Sequence, residues 1–310
     1  MAGDLLSDLL APLRLHGVFF SRWLAHAPWG ISGDRESCAL LHYVVSGVCV
    51  TELPGGDPVR LEAGDLAVFP HGTAHTLGDR PGRATVPLSG VLPEREPGEV
   101  CTVEIAGPGE RTLILCGGLH YDRVAAAPLY QSLPPLLVLR RERLHAHPLL
   151  GVTLERLAGE WDNAAPGAQL VALRAFEMVF VLALRAAMEG DCPDGRPVMG
   201  ALRHEGVAAA LRAVQTRFAE PWTVETLATE AGMSRSAFSA AFTRLLGQAP
   251  MRHLTARRMQ EAARLLTETT LAHNRISERV GYGSPVGFHL AFKQWYGMTP
   301  GEYRSAPQTR

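Results

Sequence analysis

Lysine is almost absent from this chain of 310 residues: among 30 basic side chains, Lys293 alone is not arginine. With the abundance of alanine, this points to a GC-rich coding sequence and excludes no chemistry. Cysteine is scarce too. The five positions 38, 49, 101, 116 and 192 are odd in number and irregularly spaced, which excludes a disulfide framework and implies free thiols in a reducing cytoplasm. Residues 1–10 carry neither a basic leader nor a cleavage site, so no secretory signal is expected. A long uncharged apolar run is missing as well. The most apolar stretch, 166–188, approaches a membrane span in length, but Arg174, Glu177 and Arg185 interrupt it. It reads as a buried helix, used in dimerisation or packed within its own domain.

Net charge is also nearly absent, at −1, but it is unevenly distributed. Residues 200–310 hold 14 basic and 8 acidic side chains, whereas 1–199 hold 16 and 23. A balanced total therefore conceals a basic C-terminal part, the footprint expected of contact with phosphates.

That basic part contains a pattern written twice. Ser234, Phe238, Phe242, Gly247 and Pro250 recur fifty positions on as Ser284, Phe288, Phe292, Gly297 and Pro300. Before the glycine turn the offset is forty-nine, pairing Leu227 with Ile276 and Gly232 with Gly281. Two copies are too few for a solenoid and indicate a duplicated small module. In each, a short amphipathic helix with Val224, Leu227, Ala228 and Ala231 on one face stops at a glycine. Ser234, or Ser284 followed by Pro285, then caps a second helix. Helix, three- or four-residue glycine turn and helix make a helix-turn-helix, whose second helix can enter the DNA major groove. Phe238, Phe242, Phe288, Phe292 and Trp295 are expected in the core. Residues 251–268 read as one connecting helix spanning roughly 27 Å, with Arg252, Arg257, Arg258 and Arg264 as its basic positions. That length would set the two recognition helices about one DNA turn, roughly 34 Å, apart.

The stretches AGMSRSAF, RRMQEAARLL, ERVGY and FKQWYGMTPGEYR, with their spacing, resemble the DNA-binding domain of the AraC/XylS family of bacterial transcription regulators. The resemblance implies that exposed positions early in each second helix read bases. These are Arg235, Ser236, Ser239, Ala240 and Thr243 in the first copy, and Ser284, Pro285, Val286, His289 and Leu290 in the second. The family usually has arginine where Leu290 stands. Apolar side chains can touch a thymine methyl but make no bidentate contact, so the first module is expected to carry more of the specificity.

Ahead of this, from about Leu13 to Tyr121, short β-rich runs such as 42–50, 67–70 and 112–116 alternate with turn signals, among them Gly55-Gly56-Asp57 and Gly117-Gly118. Such a pattern suggests a small barrel or a double-sheet jelly roll. The spacing of Gly64, Pro70, Gly72 and His75 resembles the second signature of cupins, and LILCGGLHYD resembles the end of the sensory cupin domain in one branch of the same regulator family. Enzymatic cupins place two histidines and a glutamate in their first signature; here only His42 stands there. His42 and His75 give two ligands for a divalent metal, short of three, with Cys116 and His120 as the further donors that would complete a set. The four together are the candidates for effector or redox sensing, with Cys38 and Cys49 as further thiols.

The expected architecture is α+β. A cupin-like β-barrel sensory domain (1–122) leads into a helical dimerisation and linker region (123–199) with a linker at 190–197. An all-α DNA-binding domain (200–310) with two helix-turn-helix motifs follows. The expected function is sequence-specific, effector- or redox-responsive regulation of transcription, by a cytoplasmic homodimer bound to double-stranded promoter DNA, without a catalytic residue. RNA polymerase is a further partner if it activates, and no membrane contact is expected. Two alternatives stay open: a cupin-type metalloenzyme with a helical appendage, and a DNA-binding protein whose barrel is only a scaffold.

Overall fold

The computed structural model describes residues 16–92, 100–121, 130, 133–160, 166–189, 201 and 204–306; the expected linker at 190–197 and Cys192 lie outside the described residues. The chain divides into two compact units, one of residues 15–121 with 134–191, the other holding 192–310.

The first unit is built from strands in the order β1 (His16–His26), β2 (Gly30–Gly33), β3 (Ala39–Ser46), β4 (Val48–Glu52), β5 (Val59–Glu62), β6 (Leu66–Phe69), β7 (His75–Gly78), β8 (Val86–Pro87), β9 (Val100–Ile105), β10 (Arg111–His120) and β11 (Leu137–Leu139). They form a six-stranded sheet, β11-β6-β3-β10-β1-β9, and a five-stranded sheet, β5-β4-β7-β2-β8. The closed barrel expected from the cupin resemblance is not formed by the described residues, which make the double-sheet alternative. Each sheet ends in an edge strand, and β8 has only two residues, one of them Pro87, which has no N–H for a further ladder. The apolar run read at 42–50 is two strands, broken at Gly47.

Successive side chains of a strand point to opposite faces, and the central strands of the larger sheet are covered on both. Trp23, Ala25, Leu40, His42, Val44, Ile114 and Cys116 lie on the side facing the smaller sheet; the apolar ones pack with its Ile31, Cys49, Leu61 and Leu77. On the other side lie helices α1 (Arg141–His145), α2 (Pro148–Glu160) and α3 (Ala168–Glu189). Burial on both faces explains why β3 and β10 read as nearly continuous apolar runs rather than as alternation. Asp65, buried at the head of β6, ties this layer down: it accepts from the guanidinium of Arg140 (2.7 Å) and the backbone N–H groups of Arg141 and Glu62 (both 3.0 Å).

The Gly117-Gly118 pair is not a turn. Both residues sit inside β10, because side chains from two directions occupy the space a Cβ would need: Phe176 of α3 lies 2.1 Å from such a position on Gly117, and Phe19 lies 2.2 Å from one on Gly118. The apolar helix at 166–188 is α3, buried along one face through Phe176, Val179, Phe180, Ala183 and Leu184, with Leu170, Val171 and Met178 exposed. Its charges form an outer stripe on which Arg174 pairs with Glu177 at 2.8 Å.

The second unit is helical: α4 (Glu205–Thr216), α5 (Val224–Glu230), α6 (Arg235–Leu246), α7 (Pro250–Glu268), α8 (His273–Arg279), α9 (Pro285–Tyr296) and α10 (Pro300–Ser305). The sequence pattern anticipated α5 to α9 but neither α10 nor α4, which packs against α5, α6 and α7. Turns at Gly232 (φ 63°) and Gly281 (φ 79°) take the left-handed backbone that glycine adopts without strain. Phe238, Phe242, Phe288 and Phe292 are fully buried as expected, but Trp295 is 40% exposed. Tyr296 and Tyr303 take the place foreseen for it, packing on Phe292 at 4.7 and 5.3 Å between ring centres.

Candidate nucleic-acid interface and ligand cavity

Each helix-turn-helix is a pair of the helices just described, α5 with α6 and α8 with α9. Ser234 Oγ accepts from the N–H of Ala237 (3.3 Å) and Ser284 Oγ from that of Gly287 (3.1 Å), so both second helices start at the capping serines the sequence marks. Burying the phenylalanines at i and i+4 turns the opposite face outward. Arg235, Ser236, Ala240 and Thr243 on α6 are exposed and Ser239 is half-buried; Ser284, Pro285, Val286, His289 and Leu290 at the start of α9 are all exposed. The first face is polar; the second presents Val286 and Leu290, 69% and 64% exposed. Arg235 reaches back to Glu225 of α5 at 2.9 Å, an exposed pair that contributes little to stability.

The arginines of α7 behave differently from a row of phosphate contacts. Arg257 is buried, stacked 4.4 Å over the Phe218 ring and paired with Glu261 at 3.2 Å. Arg258 donates to the carbonyls of Phe218 and Glu220 at 2.8 and 2.7 Å, and Arg264 pairs with both Glu261 and Glu268. Arg257 and Arg258 thus tie α7 to the 218–220 segment, whereas Arg264 is engaged within α7 itself. Arg252 remains exposed, as do Arg244, Arg279 and Lys293. Sequence alone could not separate the two groups, since the distinction lies in which face of the helix is covered.

In the first unit, a cavity of about 320 Å³ opens between the sheets. Phe19, Trp23, Ile31, Leu40, Leu77 and Leu88 make its walls apolar, and His42, His75, Cys116 and His120 all line it. The structure thus brings together all four residues singled out for effector or redox sensing. Cys38 also lines the cavity, whereas Cys49 does not; its thiol is pushed up to about 12 by burial, with the charge of Asp65 adding.

Register creates the contact at the polar end. His42 on β3 is the cross-strand partner of Cys116 on β10, and His42 Nδ1 lies 3.0 Å from Cys116 Sγ. Its Nε2 meets His75 Nε2 at 2.9 Å, and His75 Nδ1 lies 2.7 Å from the Thr73 carbonyl. Phe69 stacks on the His75 ring at 3.8 Å. Burial lowers the pKa of both histidines, with mutual repulsion from His75 adding at His42 and the Thr73 hydrogen bond partly opposing at His75. Both are therefore neutral at pH 7, and the chain of donors follows. A carbonyl can only accept, so His75 Nδ1 donates to Thr73 and its Nε2 accepts. His42 must then donate through Nε2 and accept at Nδ1, which leaves the Cys116 thiol as donor.

This arrangement does not fit a resident metal. Among the described residues no group of three His, Cys, Asp or Glu side chains is placed to hold an ion. One nitrogen of His42 is directed at His75 and the other at Cys116. Among the described residues no helix is long and apolar enough to cross a membrane.

Comparison with known proteins agrees with both halves. The Cupin family model matches residues 4–189 and the Helix-turn-helix domain model matches 227–306. An AraC-like transcription regulator of Streptomyces lividans is 30% identical over 305 residues, 98% of this chain and 99% of that protein. One of Streptomyces antibioticus is 29% identical over 307 residues, 98% and 99% of the two chains. The solved DNA-binding domain of AdpA, in complex with a target DNA, is 33% identical and covers 33% of this chain and 90% of that one, with a TM-score of 0.31. Similar over almost its whole length, and built from a cupin-type ligand-binding unit and a duplicated helix-turn-helix, the chain belongs to the AraC-like transcription regulators, which bind double-stranded DNA.

Proposed function

We propose that the protein binds promoter DNA as a cytoplasmic homodimer and alters its hold on that DNA when a small molecule or an oxidant acts in the cavity. The observation that carries this reading is the cavity itself, lined by His42, His75, Cys116 and His120. The mechanism is a population shift between arrangements of the DNA-binding parts. Cys116 faces the cavity while its neighbour Gly117 touches Phe176 of α3. A displacement of β10 by an occupant would therefore reach that helix directly.

We assign residues 1–122 to sensing, 123–199 to dimerisation and connection, and 200–310 to DNA binding. The homodimer is supported by exposed apolar side chains that flank the Arg174–Glu177 pair on the outer helices: Leu149 and Val152 on α2 with Leu170, Val171 and Met178 on α3, each between 41% and 60% exposed. In the DNA-binding part, Arg235, Ser236, Ser239, Ala240 and Thr243 read base edges. Ser284, Pro285, Val286, His289 and Leu290 read the second half-site, with thymine methyls against Val286 and Leu290. Arg244, Arg252, Arg279 and Lys293 engage phosphates. An activating mode would add RNA polymerase as a partner. The protein acts by binding rather than by turnover, a reading supported by the two-imidazole donor set.

The test is binding of the full chain to fragments of its own promoter region, titrated with salt, with and without hypochlorite or reductant. Specific binding with a steep salt slope is expected. Equal affinity for promoter and unrelated DNA would overturn the reading.

A further inference from the structure

Resting on the proposed regulator reading, we infer that the cavity is a covalent trap for apolar carbon electrophiles, α,β-unsaturated carbonyl compounds, with Cys116 as the nucleophile and His42 as its base. A cavity of about 320 Å³ with mainly aliphatic and aromatic walls far exceeds the space a two- or three-atom oxidant occupies. It suits an organic molecule of about ten non-hydrogen atoms within the size range of small-molecule sites. The reactive sulfur lies at the polar end of that space, already hydrogen-bonded to an imidazole nitrogen at 3.0 Å, the geometry of a nucleophile and its base. His75 and the Thr73 carbonyl complete the device by fixing the tautomer, so that the open nitrogen of His42 points at the thiol and nowhere else.

The step balances within the site. The Cys116 proton passes to His42 Nδ1 as Sγ bonds to the β-carbon, and the π pair of the alkene moves toward the carbonyl as an enolate. The proton on Nδ1 then returns to the α-carbon, leaving a saturated carbonyl compound joined as a thioether. No oxidant, reductant or leaving group is involved. In the intermediate, the imidazolium of His42 donates to His75 Nε2, which spreads the positive charge along the relay. The other titratable groups around the cavity are Asp34, Glu36, Cys38 and His120.

The experiment treats the full chain with cinnamaldehyde and follows intact mass, with peptide mapping of each cysteine, between pH 6 and 8. Promoter binding of the untreated protein is measured in parallel, so that loss of DNA binding is distinguished from loss of trapping. One adduct at Cys116 is expected, formed at least about tenfold faster than at Cys49 and at a rate nearly constant with pH, because the base is already neutral. A rate at Cys116 that climbs tenfold per pH unit, as an unassisted thiol's does, would overturn the assignment. So would modification by hypochlorite but not by the aldehyde, which would make the site an oxidant sensor. The variant His42→Asn, if it still binds promoter, should trap at least about tenfold more slowly; an unchanged rate refutes the role of His42. If that variant does not fold, the wild-type pH profile decides.

Discussion

His42 and Cys116 stand 74 positions apart in the chain and 3.0 Å apart through their side chains. Antiparallel pairing of β3 with β10 puts them opposite each other, on the side of the larger sheet that lines the cavity. The pair gives the cavity a polar end whose donors and acceptors are all assigned by one backbone carbonyl.

Acid should weaken the protein through its buried histidines. Burial holds His253 at about 4, where Gln248 donates to its Nδ1 at 3.0 Å, and it lowers His42 and His75 as well. Each binds its proton more readily unfolded, with an ordinary value near 6.5, so its contribution is complete above that pH and is lost as pH falls toward the folded value. For His253 alone this amounts to about 3 kcal/mol between pH 6.5 and 4. Urea unfolding at pH 7 and pH 5 should show the loss, and His253→Gln should reduce it; equal pH dependence in the variant would refute the assignment.

Gly117→Ala should destabilise the first unit by about 1–3 kcal/mol, since the added methyl overlaps Phe176. Combined with Phe176→Ala, which costs about 3–5 kcal/mol by itself, the two losses should fall short of additivity by at least about 0.5 kcal/mol. Strict additivity in denaturant titrations would mean that the ring moves aside.

Arg235→Ala should lower specific promoter affinity by about 1–3 kcal/mol, and Ser239→Ala should lower it in the same direction. Glu225→Ala should leave it unchanged or raise it, because it releases Arg235 from its partner across the turn. Leu290→Ala should act only on promoters with thymine opposite the second module. Unchanged affinity in both the Arg235 and Ser239 variants, measured by fluorescence anisotropy on the promoter, contradicts the reading face.

Two aromatic positions of the helical repeat should separate sharply. Phe242→Ala should cost about 3–5 kcal/mol as a core truncation, and Trp295→Ala less than about 1 kcal/mol, given its exposure. Similar thermal shifts for the two would place Trp295 in the core after all.

Much of the second unit was legible because its signals are local. Capping serines, turn glycines and phenylalanines at helical spacing each act within a few residues, and duplication repeats them at nearly constant offset. What escaped was decided by neighbours distant in the chain. Trp295 occupies the same repeat position as Leu245, yet Tyr296 and Tyr303 close over Phe292 in its stead. Arg257 and Arg264 look like Arg252 in the sequence, but one face of α7 is covered and the other is not. In the sheet unit, the signature from Gly64 to His75 revealed a strand and a returning loop, and Gly117-Gly118 resembled a turn only because the side chains that occupy their space, Phe176 and Phe19, lie far away along the chain.

Composition, periodicity and the repeat were enough to determine a basic, duplicated helix-turn-helix behind a strand-rich domain, because short-range backbone and capping preferences write themselves into adjacent residues. The resemblance to cupins marked His42, His75, Cys116 and His120 as candidate sensing side chains. Only the tertiary structure decided that these four share one cavity, that Cys116 donates to His42 and His42 to His75, and that the described strands make two sheets under a helical cover. Cross-strand register and sheet packing join residues whose separation along the chain carries no record of their distance in space.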